Sequence, residues 1–163
     1  MADTRWDRHL FVDDNAEFPA AFNTWEGPTI EQELRAAPHA WLRNPPRKDW
    51  AVCVPYTLAG EVRGCYPDFV IFHRVGSGVR VRIVDPHSLH LPDAAARAAG
   101  LAHYADKHAP AFDAIEMVIV DGKRQLRLDL TQEEIRTHVR EVKDAGHLRA
   151  LFTLLPSSEL SAT

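Results

Sequence analysis

The stretch Tyr66-Pro67-Asp68-Phe69-Val70-Ile71-Phe72-His73 and its successor Val79-Arg80-Val81-Arg82-Ile83-Val84-Asp85-Pro86-His87 constrain this chain more than any other. Each is rich in β-branched and aromatic residues, the composition of a strand. Val75-Gly76-Ser77-Gly78 between them is a turn signal, so the pair predicts a β-hairpin. Taking Val75 to Gly78 as the loop fixes the register. Arg74 then faces Val79, Phe72 faces Val81, Val70 faces Ile83, and Asp68 faces Asp85. Alternation puts Val70, Phe72, Val79, Val81 and Ile83 on one face, with an acid at the open end of each strand. Phe69, Ile71, His73, Arg80, Arg82 and Val84 share the other face. Directly opposed carboxylates destabilise a sheet. A divalent cation between them would offset that, because hard cations take carboxylate oxygens. His87 follows Asp85 on the same side if the strand continues. A slip of one residue would set Asp68 against Pro86 instead.

The totals are those of one globular domain, predicted over 1–155 with a tail at 156–163. Hydrophobic residues are 45% and charged residues 26% of the chain, ordinary proportions for such a domain. No apolar run approaches the ~18 residues that span a bilayer, so no membrane partner is expected. The first residues, Met1 to Asp7, are too polar for a secretory signal. Cys53 and Cys65 are too few and too far apart for a zinc knuckle; as reduced thiols they imply a cytoplasmic location. A net charge of −4 argues against nucleic-acid binding by a basic coat, though not against a local basic groove.

In chain order, Leu10-Phe11-Val12 predicts a short edge strand. Thr24 is placed to cap a helix with Pro28 at the end of its first turn; Gly27 as cap, with Pro28 the first helical residue, is the alternative. Glu26, Ile30 and Glu33 then share a helix face, and Pro38 ends the helix. Trp41 to Lys48 contains Asn44-Pro45-Pro46 and must turn. Arg43, Asn44, Arg47 and Lys48 read either as a solvated loop or as a phosphate contact. Trp50 to Tyr56 predicts a strand, with Thr57 to Gly64 as its turn. Arg63, Arg74, Arg80 and Arg82 read as a DNA path or as surface partners of acids. Asp93 is placed to cap an alanine-rich helix over Ala94 to His108, where Gly100 permits close approach of a strand. Ala114 to Val120 predicts a buried strand. Asp121-Gly122 signals a hairpin, answered by Arg124 to Leu130 with Leu126, Leu128 and Leu130 on one side. Thr131-Gln132-Glu133-Glu134 is a capping-box pattern opening a helix to about Asp144. His147 to Leu155 forms one more short element. The order is that of an α/β domain.

Pro67-Asp68, with Asp85 on the paired strand, resembles the PD-(D/E)xK nuclease superfamily. The chain is more closely similar to the C-terminal nuclease-like region of type III restriction subunits and DEAD/DEAH-box helicases. The matching pieces are Asn23-Thr24-Trp25-Glu26, Trp41-Leu42-Arg43-Asn44-Pro45, Tyr66-Pro67-Asp68-Phe69, Ile83-Val84-Asp85-Pro86-His87 and Gly100-Leu101-Ala102-His103-Tyr104-Ala105. They lie in order over residues 23–105.

The resemblance implies a restriction-endonuclease-like core, a central mixed β-sheet flanked by helices. It implies a metal-dependent DNA endonuclease of a restriction or antiviral defence system. Asp68, Asp85 and the Pro86 carbonyl would hold Mg²⁺ or Mn²⁺, Glu26 would complete the site with Glu33 in reserve, and Tyr104 would support it. The metal would lower the pKa of a bound water and stabilise charge on the phosphate. Gly100 stands where the superfamily often has glutamine, and His87 where it usually has lysine. A histidine of ordinary pKa, about 6.5, is mostly neutral at pH 7 and does not reproduce a permanent ammonium. Three readings stay open. One is an active nuclease with a variant site. Another is a degenerate nuclease-fold module that binds DNA or docks onto a helicase or ATPase subunit or a larger parent chain. The third is a chain unrelated to these nucleases; Asp68 and Asp85 themselves also read as acids that merely accept backbone N–H groups at strand ends.

Overall fold

The structure, a computed structural model, describes residues 4–155 and the backbone of Ser158–Ser161. Its strands are β1 (Thr4–Trp6), β2 (Phe18–Ala20), β3 (Ala40–Arg43), β4 (Val54–Leu58), β5 (Glu61–Cys65), β6 (Phe69–Val75), β7 (Gly78–Pro86), β8 (Ala114–Asp121), β9 (Arg124–Asp129) and β10 (Ser158–Ser161). Its α-helices are α1 (Glu26–Arg35), α2 (Ala94–His108), α3 (Glu133–Arg140) and α4 (Ala145–Leu154).

The hairpin β6–β7 forms in the expected register: Val70 pairs with Ile83, Phe72 with Val81 and Arg74 with Val79. Val75 and Gly78 also pair, so the loop shrinks to Gly76-Ser77 without shifting the alternation. Around it runs a six-stranded mixed sheet in the order β10-β9-β8-β7-β6-β3. Only β7 and β8 are parallel among its described pairs, joined through α2. Part of the segment expected as a tail is therefore the strand β10, antiparallel to β9.

The sheet buries two cores because its alternating side chains meet helices on both faces. Ile83, Ile115, Met117, Leu126 and Leu128 pack with Leu101 of α2, Val139 of α3 and Phe152 of α4. Phe69, Ile71, Val84 and Val118 pack on the other face with Ile30 of α1, Trp41 and Trp6.

Several local expectations change. Asn23, not Thr24, caps α1: its Oδ1 accepts from the N–H groups of Trp25 (3.1 Å) and Glu26 (2.8 Å). Leu10-Phe11-Val12 is no strand; the Leu10 N–H reaches the Trp41 carbonyl, but pairing stops at a single bridge between His9 and Trp41. Val54 to Cys65 is a separate hairpin, turned by Ala59 and Gly60, both with positive φ (52° and 80°). Asp93 flanks α2 as expected, yet its carboxylate accepts from the Tyr56 hydroxyl (2.8 Å) and makes no helix cap. The helix expected to reach Asp144 stops at Arg140, and Asp144 caps α4 by accepting from the His147 N–H. Gly100 does what its position suggested. A Cβ there would lie 2.5 Å from the Tyr56 Cβ and 2.9 Å from the Pro55 carbonyl, so α2 and β4 touch backbone to backbone.

Candidate functional site

Continuing the β6–β7 register by one pair brings Asp68 opposite Asp85. The Asp68 N–H donates to Asp85 Oδ1 at 3.2 Å. Asp85 is fully buried, and its Oδ2 has no hydrogen-bond partner among the described residues. Burial pushes both carboxyls up, Asp85 to about 6 and Asp68 to about 8. For Asp68 the negative charges of Asp85 and Glu26 add to the effect, against the cations Arg43 and Arg97. The two acids thus titrate as a pair that retains a proton near neutrality.

Alternation turns Asp85 to the side of Ile83, under α2. There Arg97 donates from Nε and Nη2 to Cys65 Sγ, both at 3.3 Å. Its charge draws the Asp85 carboxyl down against the desolvation that raises it. Burial, with the charge of Asp85, pushes the Cys65 thiol up to about 12, so it remains protonated. Arg97 and Cys65 escaped the sequence reading. The available signal was a lone arginine in the otherwise alanine-rich first half of α2.

Glu26 belongs to α1, which covers the opposite face of the sheet. Arg43 Nη2 donates to its Oε1 at 2.9 Å, and the Asn23 N–H donates to its Oε2 at 3.3 Å. Arg43 also lies over the Phe22 ring, 4.7 Å from its centroid. The carboxylate expected to complete the site is therefore spent on an ion pair and a helix cap. Among the described residues, no group of three or more His, Cys, Asp or Glu side chains is arranged to hold a metal ion. This overturns the expectation of Mg²⁺ or Mn²⁺ at Asp68, Asp85 and Pro86. With it goes the metal-dependent DNA endonuclease, and the restriction or defence activity attached to it.

The remaining candidates separate. Pro86 ends β7 beside Val118 in the parallel ladder. His87 extends that ladder, its N–H donating to the Val118 carbonyl at 2.7 Å. Its ring is buried with Nε2 unpartnered among the described residues. Burial, then the charge of Arg97, lowers its pKa to about 4, so it is a neutral imidazole. Glu33 faces the sheet from α1 and accepts from Arg82 (2.7 Å) and Arg127 (2.5 Å), far from a reserve metal ligand. Tyr104 packs at a tilt against His108 and Phe112 towards the end of α2.

In the loop expected to touch phosphate, Asn44 is buried. Its side-chain amide donates to the carbonyls of Val52 (2.8 Å) and Pro67 (2.9 Å) and accepts from the Val52 N–H. Arg47 and Lys48 remain exposed. Arg63, Arg80 and Arg82 pair with Glu61, Asp113, and Glu33 plus Glu116, which favours the ion-pair reading over a DNA path.

A family model for YagJ matches residues 7–161. The chain belongs to the YagJ family. Within it, Protein YagJ of Escherichia coli (strain K12) is 36% identical over 146 residues, covering 88% of this chain and 60% of that protein. The chain thus spans 60% of the length of this YagJ relative. No solved structure matches it. Among the described residues, no helix is long and apolar enough to cross a membrane.

Proposed function

We propose that this YagJ-family domain is a non-catalytic module, built on a nuclease-like hairpin, that works by docking onto a protein partner of the helicase or ATPase class. The observation that carries this reading is the commitment of Glu26 to Arg43 and Asn23. It leaves Asp68 and Asp85 without a free third carboxylate, as a pair that lowers its own charge by keeping a proton, and metal-assisted chemistry on a phosphodiester needs more than that pair. The ordered resemblance over residues 23–105 supports the nuclease-like ancestry and the type of partner. The greater length of the E. coli relative supports a domain that functions beside further protein mass.

Docking on protein is favoured over DNA by the fate of the basic loop. Arg43 and Asn44 serve the fold, which leaves Arg47 and Lys48 for phosphates on a chain of net charge −4. Two phosphate contacts supply little of the electrostatic affinity on which DNA binding rests.

Purification of the tagged chain from its own cells, followed by light scattering and cross-linking mass spectrometry, tests the proposal. The expected result is a stoichiometric helicase or ATPase chain, retained equally by the wild type and by Asp68→Asn/Asp85→Asn. Metal-stimulated plasmid nicking that the substitutions abolish would overturn it. So would a chain that leaves its cells with no stoichiometric partner.

A further inference from the structure

Resting on the docking reading above, we infer that the face built from Phe11, Phe18, Pro45, Pro46 and Trp50 receives a partner segment that carries a large apolar side chain flanked by acidic residues. Leu10, Phe11, Val12 and Trp50 are 51%, 58%, 48% and 56% exposed. Exposed apolar residues scattered singly need no explanation, but a contiguous patch marks an interaction site. Phe11 and Trp50 are contiguous, their ring centroids 5.7 Å apart. A cavity of about 410 Å³ opens between them, floored by Pro45 and Pro46. Tryptophan and arginine are the residues that anchor protein interfaces.

The face is held in shape by two buried polar side chains, His9 and Asn44. His9 stacks on Phe18 with ring centroids 3.6 Å apart. Its Nε2 accepts from the Arg43 N–H at 2.9 Å, and its Nδ1 lies 2.7 Å from the Phe11 carbonyl. Asn44 clamps the other wall to Val52 and Pro67. Ordering both walls before binding cuts the entropy lost on association.

Charge selects the occupant. Residues 43–50 carry Arg43, Arg47 and Lys48 against one acid, Asp49, on a chain that is acidic overall. Among the described residues, Arg47 and Lys48 make no ion pair. An acidic flank on the partner would find them at the rim, where they steer association and register. Aromatic rings beside cations also suit single-stranded nucleic acid. Two features count against that occupant. The rings are tilted by 49° to each other, and the neighbouring Pro45 and Pro46 are not aromatic, so successive bases find no common stacking plane.

Fluorescence anisotropy on the full chain tests this with three labelled probes. One is a short peptide with a Leu-Trp centre between Asp and Glu runs. The second has the same centre between Lys runs, and the third is an oligothymidylate. The acidic peptide is expected to bind at least about tenfold more tightly than the basic one, and Phe11→Ser/Trp50→Ser to weaken it by about tenfold or more. Arg47→Ala/Lys48→Ala should erase the charge preference while leaving the apolar contribution. Circular dichroism checks that the variants, all at exposed positions, keep the fold. The inference is overturned if neither peptide binds, if the two bind equally, if Phe11 and Trp50 do not matter, or if the oligothymidylate binds in their place. A cellular partner still held by Phe11→Ser/Trp50→Ser overturns this surface while leaving the docking reading intact. A wild-type chain with no partner at all removes the docking reading itself.

Discussion

At neutral pH Asp68 and Asp85 work against the fold that contains them. Their carboxyls titrate above the ordinary 3.8, at about 8 and about 6. The folded chain therefore binds more protons than the unfolded one across that window. The stability they contribute is full below pH 3.8 and is lost as pH rises towards 8. Asp68→Asn removes the largest part of this titration without a hydrogen bond to lose, because Asp68 meets Asp85 and Asn44 through its backbone. At pH 8 it should stabilise the chain by on the order of 2 kcal/mol, an advantage that vanishes below about pH 4. Urea denaturation at the two pH values checks this. His9 runs the other way. Its Nε2 accepts from the Arg43 N–H, and its Nδ1 lies against both the Phe11 carbonyl (2.7 Å) and the Phe11 N–H (2.9 Å). Burial lowers its pKa below the ordinary 6.5, and the unfolded chain takes up the proton first as pH falls. Stability is lost as pH drops through that value, a direction that His87 shares. In the Asp68→Asn background, His9→Gln should flatten this loss on the acid side of neutrality, read by urea denaturation at pH 7 and at a mildly acid pH.

At the level of elements, the contact between α2 and β4 depends on one missing side chain. Gly100→Ala would drive a Cβ to 2.5 Å from the Tyr56 Cβ and 2.9 Å from the Pro55 carbonyl, and the second of these is backbone. Separating α2 from β4 should cost on the order of 2–3 kcal/mol. Thermal unfolding measures the loss, and near-ultraviolet dichroism from Tyr56 reports where it occurs. Gly100 was legible in sequence because a glycine inside an alanine-rich helix has few other reasons to be there. The β6–β7 register and the span of α2 were legible too, since both rest on local periodicity. The hairpin β4–β5 was not. β4 alternates, with Val54 and Tyr56 buried and Pro55 and Thr57 exposed, but Glu61 to Gly64 of β5 are all exposed and carry no such pattern, and the turn uses an alanine with positive φ. Of the candidate site, the pairing of Asp68 with Asp85 followed from register alone. The arginines that close it, Arg43 and Arg97, come from β3 and α2, and no spacing rule connects them to either acid.

Across the whole molecule, the two faces of the sheet are joined to their helices by different forces. The face under α2, α3 and α4 is almost wholly apolar. The face under α1 buries charge: Glu33 binds Arg82 and Arg127, and both arginines also reach Glu116. Arg127 Nη2 donates to Gln125 Oε1, and Gln125 Nε2 donates to the Pro28 carbonyl at 2.8 Å, so the network returns to α1. Alternation had put Arg82 on the same face as Ile71 and Val84, but nothing local reveals that a helix would cover it. Glu33 of α1 pairs directly with both arginines, which stand on β7 and β9. Glu33→Ala would leave two buried cations sharing a single carboxylate, and removing one member of a buried pair costs about 3–5 kcal/mol. Because the network is shielded from solvent, added salt should not soften the loss. Hydrogen exchange gives the decisive pattern: α1 should lose protection first, while β8 and β9, anchored by the apolar face, keep theirs. Glu33→Gln, which keeps an acceptor but drops the charge, should fall between the wild type and the alanine variant. A cost below about 1 kcal/mol for Glu33→Ala would mean that water replaces the carboxylate and that packing around Ile30, not charge, seats α1 on the sheet.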